Sequence, residues 1–592
     1  MATAWRDADP DPQTRAELDQ LLTSENTTAI AERFHGTLSF GTAGIRAEIG
    51  AGPLRMNRLV AGRVAAGLAR YITTADPAGA AATAGAGVAI GYDGRTNSKV
   101  FATDAARLLS LAGIRVWLLP GPLPTPVLAF TVRHVRAAYG VMVTASHNPR
   151  QYNGIKVYVR DGGQLLPPVD EEIAAAIDNV DPLHLADGWA DGPFDFTPAD
   201  ESVHAYVAAV AAVAAGGHAP PGIRHLTVVH TALHGVGDGT FRNVLTAAGW
   251  PAPIPVRAQQ RPDPAFPTAH YPNPEEPGVL DLARETAERA GADLVLATDP
   301  DADRLAVMVP GPAGWQTLTG DEVGALLGDA ALTRLTRPAR GDSLVNPGGR
   351  PPVVATTVVS GSLLRRLAQA AGVRCVTTLT GFKWIARAGG ADNALVYGYE
   401  QATGYAVRPD LVADKDGISA GLLVLQLAAE EAQHGRTLLD RLDDLALAHG
   451  LHVTSQRVLH ADGAPGLAQL ADAVERVRKD PPRLLAGHPI TVTDLLNDSS
   501  GVVDLAGGQA ERSPGAPLPP ADVLIWHAGP DARVMIRPSG TEPELKIYAE
   551  VVEPVRSQAA LASAKANATQ SAERFLLAAA AALQRSIRGD QS

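Results

Sequence analysis

Short apolar runs that stop at Gly, Pro or a polar residue alternate along this chain with stretches of helical period, and that alternation leaves few folds open. Gly87-Val-Ala-Ile-Gly-Tyr-Asp93, Ile114-Arg-Val-Trp-Leu-Leu119 and Tyr139-Gly-Val-Met-Val-Thr144 read as strands, and residues 98–111 between the first two read as a helix. A second cycle runs from His225-Leu-Thr-Val-Val-His230 through a helix over 239–248 to Ala292-Asp-Leu-Val-Leu-Ala-Thr298, with prolines across 261–277 forbidding a long helix there. A third passes from Asp321 through strands over 353–359 and 394–399 into a helix over 417–433. Beyond about residue 450 the texture turns polar and rich in Pro and Gly, with strand-like runs at 522–526, 532–536 and 545–551 and an Ala-rich helix over 556–587. Residues 11–35 carry the spacing of one amphipathic helix. At 592 residues the chain suits about four domains of roughly 150 residues each. The expected class is α/β: three successive α/β mixed-sheet domains over 1–210, 211–318 and 319–445, plus a distinct α+β C-terminal domain over 446–592.

Charge and cysteine content narrow the chemistry. A net charge of −12 argues against broad attraction to nucleic acid or to an anionic membrane surface, so neither is an expected partner and any anionic ligand needs local positive charge. The single Cys375 rules out an internal disulfide and any zinc site built from several thiolates. The N-terminus meets charge before any apolar run, and the longest Ala/Val-rich stretches fall short of the roughly 20 residues a bilayer span requires, so the expected location is the cytoplasm. Only seven of the 51 basic residues are lysines: Lys99, Lys156, Lys383, Lys415, Lys479, Lys546 and Lys565.

Thr144-Ala-Ser-His-Asn-Pro149 follows a buried-type strand, where α/β proteins place their sites. Ser146 is a candidate nucleophile with His147 beside it, although Ser, Asn and Pro are equally the residues of a plain turn. Lys156, ten residues on and expected on the next strand, supplies a positive charge that suits a phosphorylated serine or acid/base work. Asp299-Pro-Asp-Ala-Asp-Arg304 follows a second apolar strand. On extended backbone Asp299, Asp301 and Asp303 share a face and form a carboxylate cage for a hard divalent cation, with room for a phosphate oxygen, which favours Mg²⁺. An EF-hand counted from Asp299 is excluded, because Arg304 and Pro310 stand where Gly and Glu are required.

In Arg537-Pro-Ser-Gly-Thr-Glu-Pro543 the guanidinium of Arg537, the hydroxyls of Ser539 and Thr541 and the bare backbone at Gly540 suit the grip of a phosphate, as they also suit a β-turn. Glu400 stands just past a strand, where a carboxylate can accept from sugar hydroxyls. Lys383 lies between Phe382 and Trp384, and Lys415 between Asp414 and Asp416.

With Phe40-Gly-Thr-Ala-Gly-Ile-Arg46, the Ser146 segment, the Asp299 segment, the Glu400 loop and the Arg537 segment in this order, the chain resembles the α-D-phosphohexomutases over residues 38–550. Leu233-His-Gly-Val-Gly237, Tyr271-Pro-Asn-Pro-Glu-Glu276 and Thr378-Leu-Thr-Gly-Phe-Lys-Trp384 look like the long phosphoglucomutase and phosphopentomutase branch. The resemblance implies four domains around a central cleft, Ser146 carried as phosphoserine, and one Mg²⁺ held by Asp299, Asp301, Asp303 and the Ser146 phosphate. It implies that Arg46, His147 and Lys156 are the acid/base and charge-stabilising set and that Arg304 steadies the phosphoserine. Gly381, Lys383 and Glu400 would face the sugar with Lys415, and the Arg537 loop would hold the phosphate that is not reacting. The substrate is then a small phosphosugar and the intermediate a sugar bisphosphate, which also primes the enzyme.

One departure bears on the sugar. Many hexose mutases read Glu-x-Ser where this chain has Glu400-Gln401-Ala402, and the pentose branch tends to Ala there. The expected reaction is phosphate movement between C1 and C6 of glucose or mannose, with ribose 1- and 5-phosphate as the rival pair. A phosphatase, or a binding protein with a dead site, would use the same parts differently.

Overall fold

The computed structural model describes residues 1–40, 44–74, 79–188, 193–214, 226–336, 349–460, 463–497, 520–538 and 544–588. The chain forms two compact units, one of Met1–Thr317 with Gly404–Ala429 and one of Leu318–Thr403 with Glu430–Ser592.

In the first unit a mixed sheet runs in the order Ile45–Glu48, Tyr152–Val159, Tyr139–Val143, Val88–Tyr92, Val116–Pro122, Thr197–Pro198. The central strands pair in parallel, and every residue of Val88–Tyr92 and Tyr139–Val143 is buried, as their unbroken apolar sequences require. Leu68 and Val64 of the helix Arg58–Thr74 and Phe101 and Leu109 of the helix Ser98–Leu111 pack with Ile90 and Val141 of the sheet in one core. Tyr152–Val159 returns antiparallel beside Tyr139–Val143, setting Lys156 opposite Met142. Ile45–Glu48 then sets Arg46 opposite Gly154, two residues from Lys156 and on the same sheet face.

The unit's second sheet repeats the plan. Leu294–Thr298, wholly buried, pairs in parallel with Val228–Thr231 and antiparallel with Leu305–Gly311. The loop between its two antiparallel strands carries the three aspartates. The residues expected to form one N-terminal helix form two, Pro12–Thr23 and Thr27–Phe34, because the Asn26 side chain accepts from the Ala29 N–H and restarts the helix there.

In the second unit Pro352–Thr357 pairs in parallel with Arg374–Thr378 and Ala394–Glu400. A five-stranded antiparallel sheet follows, Leu451–His460, Glu544–Glu553, Ala532–Pro538, Leu524–His527, Thr491–Asp494. The helix Leu561–Arg588 lays Ala568, Ala572, Leu576, Ala579 and Leu583 at helical spacing onto Trp526, Ile536 and Ile547 of that sheet. Leu451–His460 and the helix Gly463–Lys479 were not foreseen in the polar stretch after residue 450. The strand is half-buried along its length and so lacks a continuous apolar run.

A buried ion network joins the antiparallel sheet to the loop after Pro352–Thr357. Arg533 Nε donates to Glu550 Oε2 at 2.7 Å, and its Nη2 donates to the Ser360 carbonyl at 2.7 Å. Glu550 Oε1 accepts from the Ser362 N–H at 2.6 Å and lies 3.1 Å from His452 Nδ1. Burial acts to raise the Glu550 carboxyl, but Arg533 and these hydrogen bonds outweigh it and hold it well below the usual carboxylate range. Its contribution is therefore complete above the ordinary glutamate value and declines as pH falls towards the folded one. Glu550→Gln should lower the unfolding free energy by about 3 kcal/mol at pH 7. The gap from wild type should narrow below the ordinary value of 4.5, as read by denaturant titration at several pH values.

Candidate active site

Ser146 lies in the turn that ends Tyr139–Val143, with its backbone at φ 51° in the left-handed region. Its Oγ donates to Asp299 Oδ2 at 2.7 Å and lies 3.3 Å from His147 Nδ1. Asn148 in the same loop accepts from Arg46 Nη1 at 3.0 Å.

Asp299, Asp301 and Asp303 are buried, and one oxygen of each lies within 4.8 Å of the others. They converge by a different route from the extended strand expected. The chain turns at Pro300, the Ala302 N–H donates to the Asp299 carbonyl at 2.9 Å, and Ala302 takes φ 55°. A turn folds three side chains onto one point, whereas an extended run would spread them over about 7 Å per pair of residues.

Each carboxylate is fastened by one oxygen or more. Asp301 Oδ2 accepts from Lys156 Nζ at 2.7 Å and from Thr125 Oγ1 at 2.7 Å. Asp303 Oδ2 accepts from Lys156 Nζ at 3.0 Å and lies 3.2 Å from Lys415 Nζ. Asp299 Oδ1 accepts from the Arg304 N–H at 3.1 Å, and Arg304 Nη1 lies 3.5 Å from Glu275 Oε2. Asp301 Oδ1 and Asp303 Oδ1 are buried without a hydrogen-bond donor among the described residues. Hard oxygens left over in this way are what a divalent cation takes as ligands, so the cluster fits a metal ion.

The electrostatics agree. Burial and the neighbouring carboxylates Asp301 and Asp303 push Asp299 well above the usual carboxylate range. Burial acts upward on Asp301 too, but Lys156 and Thr125 carry it well below. Burial acts against the Lys156 ammonium, and the two aspartates overcome it and hold the group above the ordinary lysine value. In this state Lys156 is a fixed positive charge.

Lys415 is anchored beside the cage, with the Asp414 carboxylate taking its N–H at 2.9 Å and hydrogen bonds from Tyr158 Oη at 3.0 Å and Gln164 Nε2 at 2.9 Å. Ser146, His147, Arg46, Lys156, the three aspartates, Arg304 and Lys415 thus belong to the first unit. Gly381, Lys383, Glu400 and Arg537 belong to the second. There Gly381, at φ 109°, precedes the helical turn Phe382–Ile385, and Lys383 Nζ lies 5.2 Å from the Trp384 ring centre. Glu400 closes the strand Ala394–Glu400, and Arg537 lies near the end of Ala532–Pro538. Ser539, Gly540 and Thr541 lie outside the described residues, as do 41–43 of the Phe40 segment. The sequence reading left Thr125 out and counted Tyr92-Asp-Gly-Arg95 among the site segments without giving Arg95 a role. The available signals were Pro124-Thr125-Pro126 and Asp93-Gly94-Arg95 after strand ends.

Four family models match in chain order. Their descriptions are phosphoglucomutase/phosphomannomutase alpha/beta/alpha domain I over 37–184, domain II over 204–312, domain III over 319–446 and the C-terminal domain over 526–568. The chain belongs to the phosphoglucomutase/phosphomannomutase family. It is accordingly an enzyme, an isomerase of the phosphosugar-mutase kind, built of α/β domains with a distinct C-terminal one. A probable phosphomannomutase of Haemophilus influenzae is 36% identical over 502 residues, covering 83% of this chain and 92% of that one. A probable phosphoribomutase of Schizosaccharomyces pombe is 33% identical, covering 93% and 92%. A crystal structure of a putative phosphomannomutase from Thermus thermophilus shares the fold at a TM-score of 0.64 and 24% identity, covering 93% of this chain and 99% of that one. No helix among the described residues is long and apolar enough to cross a membrane.

A cation bound only by the folded cage adds about 2.7 kcal/mol at a hundred times its dissociation constant. Titrating Mg²⁺ into the metal-free protein should therefore raise its thermal midpoint. The same titration on Asp303→Asn should leave the midpoint flat.

Proposed function

We propose that this mutase moves a phosphoryl group between O1 and O6 of a hexose, glucose or mannose, through phosphorylated Ser146 and an enzyme-bound hexose bisphosphate. The observation that carries the reading is the Ser146 hydroxyl 2.7 Å from Asp299, inside a cage of three buried carboxylates. Few arrangements other than phosphoryl transfer need a serine, a hard-cation site and fixed ammonium groups at one point.

In the forward half-reaction the sugar hydroxyl attacks phosphorus and gives up its proton, while the bond from phosphorus to Ser146 Oγ breaks and Oγ takes up a proton to become the serine hydroxyl again. His147, 3.3 Å from Ser146 Oγ, and Arg46, hydrogen-bonded to Asn148 of the same loop, are assigned to these protons and charge, and Lys156 remains an ammonium facing the developing negative charge. Asp299, Asp301, Asp303 and the Ser146 phosphate would hold Mg²⁺, which would supply charge neutralisation at the moving group. Arg304 steadies the phosphoserine. The bisphosphate then turns over and returns its other phosphoryl group to Ser146. Recognition of the sugar and its second phosphate is assigned to Gly381, Lys383, Glu400, Lys415 and Arg537, with Ser539, Gly540 and Thr541.

The ribose 1- and 5-phosphate pair is the second reading. It is supported by Ala402, which puts no hydroxyl in the Glu400 loop, and by the naming of the fission-yeast relative. Gln401 Oε1 accepts from Ser360 Oγ at 3.0 Å and Thr357 Oγ1 at 3.3 Å, which ties that side chain to the loop after Pro352–Thr357. Comparing kcat/KM for glucose 1-phosphate, mannose 1-phosphate and ribose 1-phosphate decides between them. A hexose should lead, and a tenfold preference for ribose, about 1.4 kcal/mol, would overturn the hexose assignment. Ser146→Ala should isomerise none of them.

A further inference from the structure

The turn Asp93-Gly94-Arg95 holds both sides of Ser146. Arg95 is buried, and its guanidinium donates to four backbone carbonyls of the Ser146 loop. These are Ser146 at 2.5 Å, Asn148 at 2.5 Å, Pro149 at 2.9 Å and Tyr152 at 3.1 Å. Asp93 works from the other side. Its Oδ2 accepts from Thr144 Oγ1 at 2.7 Å, which leaves that hydroxyl's lone pair to accept the Ser146 N–H at 2.8 Å. Its Oδ1 accepts from Ser98 Oγ at 2.6 Å and from the Arg95 N–H at 3.0 Å, so the turn is itself braced. The Ser146 N–H and C=O are thus both committed, and with them its left-handed conformation.

Arg95 also faces the second sheet's domain. Its guanidinium lies 4.9 Å from the Phe266 ring centre, and a side chain at Gly94 would come within 2.8 Å of Pro262. The same cation therefore touches the loop that carries Ser146 and the Pro-rich loop of the domain that carries Asp299.

We propose that Arg95 is a positioning residue for phosphoryl transfer: it fixes the Ser146 backbone in the left-handed turn and so sets Oγ against the Asp299 cage. This rests on the assignment of Ser146 as the phosphoryl carrier. Four of the five fixed guanidinium donors, those on Nη1 and Nη2, serve four carbonyls, and a lysine ammonium with three donors on a flexible stem cannot.

The test measures single-turnover transfer from phosphorylated Ser146 to hexose 1-phosphate in wild type, Arg95→Ala and Arg95→Lys, together with Mn²⁺ affinity and unfolding midpoints. Both variants should transfer about a hundredfold more slowly, as expected for a misplaced reacting atom, with the KM for sugar phosphate and Mn²⁺ affinity near wild type. Added guanidinium should restore transfer in Arg95→Ala and not in Arg95→Lys, where the side chain fills the space. Transfer within threefold of wild type in either variant would overturn the proposal. So would a loss in folded Arg95→Ala that guanidinium leaves untouched. If Arg95→Ala does not fold, Arg95→Lys decides alone by its transfer rate. A wild-type protein that never carries phosphate on Ser146 would instead overturn the carrier assignment, whatever the Arg95 variants do.

Discussion

Three carboxylates buried within five residues cannot all stay charged unless positive groups stand beside them. This chain meets that requirement for two of them, with Lys156, which serves Asp301 and Asp303 together, and with Lys415, which serves Asp303, while Asp299 is pushed well above the usual carboxylate range. Much of the first unit follows from supplying those two ammonium groups. Lys156 reaches the cage because its strand returns antiparallel from the Ser146 turn. Lys415 reaches it because Asp414 is clamped by Tyr158 from that same strand. The segment Gly404–Ala429, distant in sequence, is thereby part of the compact unit that holds the aspartates. It packs close: the Gly417 N–H donates to the Ala302 carbonyl at 3.2 Å, and a side chain at Gly417 would stand 2.2 Å from the Arg304 carbonyl.

Half of the ten non-glycine residues with positive φ among the described residues lie in the loops around Ser146 and the aspartates. Ser146, Leu233, His234, Phe266 and Ala302 all take positive φ without being glycine. Such residues persist where their surroundings over-determine them, and each here has a fastening. The Ser146 loop is drawn onto Arg95, and the His234 N–H donates to the Gln259 carbonyl. The Val236 N–H donates to the Pro300 carbonyl, holding the Leu233–Val236 turn directly beneath the aspartates. Ser146 and the cage are therefore positioned by backbone as much as by side chain.

Much of this was legible in the sequence, for physical reasons. Buried parallel strands need unbroken apolar runs, so Val88–Tyr92, Tyr139–Val143 and Leu294–Thr298 announce themselves, and the Ser146 and Asp299 loops follow at their ends. The half-buried strand Leu451–His460 has no such signature and was hidden in polar sequence. The aspartates were recognised by spacing but through the wrong backbone, since a turn at Pro300 and not an extended run brings the three side chains to one point. The seven lysines divide between the site and elsewhere. Lys156 and Lys415 meet the aspartates, whereas Lys99 is exposed and Lys546 lies 3.6 Å from Glu544. The roles of Arg95 and Thr125 were not legible because they act on other residues' backbone and carboxylates, and no local pattern encodes a partner 51 or 176 positions away.

The central claim is that Ser146 hands its phosphoryl group to a sugar and not to water. Protein carrying radiolabelled phosphate on Ser146, mixed in a single turnover with unlabelled hexose 1-phosphate and Mg²⁺, tests it directly. The account predicts that the label leaves the protein and appears in hexose bisphosphate and then in hexose 6-phosphate. Label released as inorganic phosphate, or retained on the protein while the sugar isomerises, would contradict it.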